Sequence, residues 1–158
     1  MYRLVLITYT IVATCQLAVA EQKQPQEPFV FGYADKLSYL PKEQVAFHIS
    51  SSATSVRIVI ERQGGANETV FEKPDIPCAA HPIPDRASSH GCNWPATFKL
   101  KIPDDWKSGC YIATLIIKSN DKETRGQVLF VVRSAEPGKN TRILLQLATN
   151  TYNAYTNW

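Results

Sequence analysis

The sequence predicts an all-β chain. It reads as an immunoglobulin-like β-sandwich followed by the first strand of an α/β domain. Three observations carry this. Short apolar–polar alternations recur along the chain, the period of half-buried strands. Turn residues separate them, and no run has helical periodicity. The run Arg142 to Leu147 then departs from the pattern, being apolar without alternation.

Taken in order, Phe29 to Tyr33 is a short strand or edge segment, and Leu37 to Tyr39 is a second. Val45, Phe47 and Ile49 alternate with Ala46 and His48, which puts His48 on the polar side of a strand. Val56, Ile58 and Ile60 make the next strand. Gly64, Gly65, Ala66 and Asn67 form a hairpin-type turn before Val70 and Phe71. Phe98, Leu100 and Ile102 alternate with lysines. Pro103, Asp104, Asp105 and Trp106 break the run, and Ser108 and Gly109 close the turn. From Cys110 both alternating sets are apolar-rich, so this strand is expected to be covered on both faces. The last strand, residues 126–133, has the same property. Tyr111, just after the Ser–Gly turn, suits a tyrosine-corner role. Trp94, Trp106 and Tyr111 read as core packing.

Residues 1–20 stand apart. A positive start, an apolar run and Ala18-Val19-Ala20 form a secretory signal pattern, too short for a membrane anchor. Residues 21–28 read as a flexible leader, 29–133 as the sandwich and 134–140 as a linker. The formal charge of +3 falls by one unit with the signal, too small to argue for nucleic acid or an anionic membrane. No membrane span is expected after signal removal. The localisation expected is secreted, and Asn67-Glu68-Thr69 is then a glycosylation acceptor in a surface loop. Oligomeric state is not legible.

Residues 73–93 hold four prolines and no periodicity, an uncommon length of irregular chain in a compact domain. Cys78 and Cys92 bracket most of it. A disulfide between them would close about 15 residues and stabilise by roughly 3 kcal/mol on the loop-entropy model. Another pairing or an intermolecular bridge stays open, with Cys110 reading as a buried thiol. The rival is zinc held by Cys78, His81, His90 and Cys92. The spacing matches no usual finger, and an oxidising compartment favours the disulfide. Ser88, Ser89 and His90 read as a solvated loop, since no Gly-x-Ser-x-Gly elbow is present. No catalytic, cofactor-binding or metal residue is assigned. Residues 141–158 read as the start of a truncated α/β domain, with Asn150, Tyr152 and Tyr155 lining a pocket after its first strand.

Four stretches together resemble the N-terminal part of the N,N-dimethylformamidase large-subunit-like family. They are GYADKLSYLPKEQVAFHIS, HGCNWPATFKLKIPDDWKSGCYIATL, LFVVR and ILLQLATNTYNAYTNW. The carrying motifs are Trp94-Pro95, the Ile-Pro-x-x-Trp-x-Ser-Gly-x-Tyr stretch ending at Tyr111, and the run ending at Trp158. The resemblance implies a sandwich ahead of an amidotransferase-like α/β domain. It also implies amide hydrolysis at a mononuclear iron held by tyrosines and a glutamate. Those ligands lie beyond Trp158, so this chain holds no cofactor of its own. Its expected role is a non-catalytic module whose partner is the missing α/β domain, any amidase belonging to a full-length relative. The alternative is a secreted module binding carbohydrate or a cell-surface partner through residues 73–93.

Overall fold

A computed structural model of the chain describes residues 27–119, 122–139, 142–144 and 146–148. Eight strands and one short helix follow in the order β1 Val30–Ala34, β2 Ser38–Tyr39, β3 Gln44–Ser51, β4 Ser55–Arg62, β5 Glu68–Pro77, α1 Ala87–His90, β6 Phe98–Lys101, β7 Gly109–Ser119 and β8 Lys122–Val132. They form two sheets, β1-β3-β6 and β2-β8-β7-β4-β5. All pairings are antiparallel except β2 with β8, which is parallel.

The alternation in the sequence explains why these sheets face each other. Val45, Phe47 and Ile49 of β3 and Val56, Ile58 and Ile60 of β4 point into one cluster. Tyr111, Ala113, Leu115 and Ile117 of β7 join them, as do Val128, Phe130 and Val132 of β8. Each strand contributes one face to a common core, which is the condition for a stable β-sandwich. Aromatic rings then bridge the two sheets. Phe130 meets Tyr39 and Phe47 edge-on, each at 5.9 Å, and stacks with Tyr111 at 5.5 Å. Tyr111 stacks in turn on Trp106 at 4.9 Å. Trp106 and Tyr111 are core residues, as expected.

The corner before β7 is shaped by this stack. Lys42 N–H donates to the Ile102 carbonyl, and Ile102 N–H to the Glu43 carbonyl. This pins Ile102 before Pro103 turns the chain away. The Tyr111 hydroxyl donates to the Lys107 carbonyl at 2.5 Å, the geometry of a tyrosine corner.

β5 extends further than the sequence pattern indicates, through Pro74 and Pro77. It is an edge strand, where a proline costs no ladder hydrogen bond on its open side. The pairing passes from Val56↔Ile76 to Ile58↔Lys73, so Pro74 and Asp75 together oppose Arg57. Asp75 adopts φ 52, a left-handed conformation at this bulge. The helix α1 lies inside the stretch that shows no periodicity in sequence, and only Ala87 of it is buried. Among the described residues of 142–148, no strand is formed, and Ile143 and Leu144 are 84% and 91% exposed. A parallel strand forms only by pairing with its neighbours, and among the described residues no strand pairs with this stretch.

β1 crosses close over β8 at Gly126, where an added Cβ would stand 2.5 Å from the Val30 carbonyl oxygen. That neighbour is backbone and cannot swing aside. Gly126→Ala should therefore cost about 1–3 kcal/mol in urea unfolding. Gly65→Ala, with nothing within 4 Å of its Cβ, should stay within about 0.5 kcal/mol of the parent.

Candidate functional site

Three places in the fold gather chemically capable side chains. The first is the outer face of the three-stranded sheet. Tyr33 of β1 and His48 of β3 project there, because their neighbours Gly32, Phe47 and Ile49 face the core. Their rings stack at 4.8 Å and 4°. Trp94 closes over them. Its backbone N–H donates to the Tyr33 hydroxyl, and its carbonyl lies 2.6 Å from His48 Nδ1. A carbonyl only accepts, so His48 carries its proton on Nδ1 in this contact. The Trp94 indole N–H donates to the Pro82 carbonyl at 2.8 Å. Ser50 Oγ donates to the His81 carbonyl and accepts from its N–H. Thr97 Oγ1 likewise bonds both backbone groups of Ile49. The Pro-rich loop is thus a cover laid on the sheet and hydrogen-bonded to it through Trp94, His81 and Thr97. The polar side expected for His48 is real, but the loop half-buries it.

The expected Cys78–Cys92 disulfide is not formed. Cys78, Cys92 and Cys110 are all free thiols. Cys78 packs against the main core and donates through Sγ to the Ala53 carbonyl. Cys92 is buried with Ala87 and Trp94 in the separate cluster that includes Tyr33. The loop is held by Trp94 and the hydrogen bonds around it, not by a covalent bridge. Burial pushes all three thiols up. It does the same to the Tyr33 phenol. No group of three or more His, Cys, Asp or Glu among the described residues could hold a metal, so Cys78, His81, His90 and Cys92 do not assemble as zinc ligands.

The second place is a cavity of about 290 Å³ beside the β7 corner, lined by Arg62, Glu68, Asp105, Lys107 and Trp106 among others. Arg62 Nη2 donates to the Ser108 carbonyl. The guanidinium lies against Gly109, φ 154, where a Cβ would meet Nε at 3.3 Å. Burial raises the Tyr111 phenol here, with Arg62 acting in the opposite direction. Arg62 is the residue the sequence reading missed. The only hint was the small pair Ser108 and Gly109, which leaves room for a large side chain. Asn67 is exposed in the adjoining turn between β4 and β5.

The third place is an apolar cleft of about 690 Å³ where Cys110, Val131 and Val132 meet Pro137 and Leu147. Asn150, Tyr152 and Tyr155 lie outside the described residues. No helix among the described residues is long and apolar enough to cross a membrane.

Two outcomes follow for the cover. Trp94→Ala should release it at a cost of about 3–5 kcal/mol in that cluster. Limited proteolysis should then cut within residues 78–97, and Cys92 should alkylate faster. In the parent, a raised thiol pKa means less thiolate at a given pH. Alkylation at pH 8 should therefore run slower than for free cysteine and still climb above pH 9.0. A rate that levels off below that pH would contradict the burial.

Residues 58–158 match the family model described as N,N-dimethylformamidase beta subunit-like, C-terminal. The sequence motifs resemble the N-terminal part of the family, whereas the matching model carries the C-terminal label. No curated protein matches the chain. The match spans β4 to β8, including the corner from Ile102 to Tyr111 and the run to Trp158. The chain belongs to the N,N-dimethylformamidase beta subunit-like family.

Proposed function

We propose that this chain is a non-catalytic, immunoglobulin-like module of an exported N,N-dimethylformamidase beta subunit-like protein. Its role is to pack against and order the α/β domain that the family resemblance implies. The observation that carries this reading is the outer face of the five-stranded sheet. Ile116 and Thr114 are buried there, and Cys110, Ile112, Val59 and Val131 are half-buried. Leu129, paired with Ile112, stands 36% exposed. Ion pairs Arg57–Glu72 and Arg125–Glu123 border this stripe. An apolar centre within a charged rim is the anatomy of an interface.

The strand order supports the immunoglobulin-like assignment, with β2 pairing parallel to β8 at one edge and a tyrosine corner opening β7. The signal pattern at residues 1–20 and the exposed sequon at Asn67 support export.

Sedimentation velocity on the chain without residues 1–20, the form that export would leave, tests the interface. The parent should self-associate with rising concentration. Val59→Lys with Leu129→Lys should run as a monomer with an unchanged far-UV spectrum. A parent that stays monodisperse at every concentration would sink the docking role.

A further inference from the structure

We propose that the cavity beside Arg62 is a seat for the first sugar of a glycan attached to Asn67. This rests on the export reading above, because only an exported chain receives that glycan. Asn67 is exposed at the end of the β4–β5 turn, and the cavity begins at the next two residues, Glu68 and Thr69. A sugar on the Asn67 side chain is therefore delivered to the cavity mouth by its own covalent bond. Tethering raises its local concentration so far that a weak site suffices.

The lining selects the ligand class. Arg62 and Lys107 face the same space as Glu68 and Asp105. The acids oppose a free anion and the bases oppose a metal cation. What remains is a neutral group with many hydroxyls, which can donate to the carboxylates and accept from the cations. The Arg62 Nη2 bond to the Ser108 carbonyl holds the guanidinium at the cavity wall, where a sugar hydroxyl or an acetamido carbonyl can accept from it. Trp106 gives the cavity an apolar wall, and about 290 Å³ suits one sugar ring rather than a branched chain.

The test uses the full chain secreted from a eukaryotic host, in three forms. One keeps its whole glycan, one is trimmed enzymatically to the single N-acetylglucosamine, and one is stripped completely. Asn67→Asp serves as a second stripped form, since it carries the residue that complete removal leaves. The trimmed form should melt with the intact one, and both stripped forms about 4 °C lower. Glu68→Ala with Asp105→Ala, which leaves the sequon intact, should abolish that difference. Equal melting of all forms overturns the proposal. So does a trimmed form that melts with the stripped ones, or a difference that survives the cavity variant. A chain secreted with Asn67 bare overturns the sugar seat and leaves export standing, whereas a chain that never enters the secretory pathway overturns both.

Discussion

The stack of Trp106 on Tyr111 on Phe130 is the contact on which the two sheets depend. Phe130 belongs to β8 and meets Phe47 of the opposite sheet, so the stack is the point where the layers lock together. A large planar ring contributes area burial and a preferred geometry at once. The Tyr111 hydroxyl must still find a partner inside the protein, and the Lys107 carbonyl supplies it. That bond sets where the chain turns between Ile102 and Gly109. The turn in turn places Ser108 and Gly109 against Arg62. Core packing, corner and cavity are thus one construction, and its residues are the motif from Ile102 to Tyr111.

The opposite sheet faces a different problem. It has three strands and two sides, and only one side meets the core. The loop from Cys78 to Thr97 covers the other side. Its prolines limit the freedom of the unfolded loop, which reduces the entropy lost on ordering it. Trp94 then fixes it through three hydrogen bonds, to the Tyr33 hydroxyl, the His48 ring and the Pro82 carbonyl, and through ring contact with Tyr33. This explains how a loop of that length stays ordered with free thiols. On the outer face of the five-stranded sheet, the described residues place an apolar stripe between charged side chains, with the cleft of Cys110, Val131, Pro137 and Leu147 at one end.

Most of the strand pattern was legible in the sequence. Alternation at Val45 to Ile49 and at Val56 to Ile60 identified inward and outward faces, because a pleat imposes a period of two. The Ser–Gly turn before Tyr111 identified the corner. Legibility ended where residues distant along the chain decide the outcome. The extension of β5 through two prolines depends on its place at the sheet edge, which no local pattern encodes. The pairing of Cys78 with Cys92 looked favourable on loop length alone. It fails because their side chains enter different apolar clusters. Arg62 carries no local signature, since its role comes from Ser108, 46 residues away.

The sequence by itself determined the class of fold, the order of its strands, the family and the exposed sequon. These follow from local periodicity, turn chemistry and short motifs, which act over a few residues. Tertiary structure decided the rest: which strands share a sheet, that His48 lies beneath Trp94, and that Arg62 opens a cavity next to Asn67. His48 and Trp94, like Arg62 and Ser108, lie 46 positions apart. Their contacts exist only once burial of the apolar faces has brought those positions together.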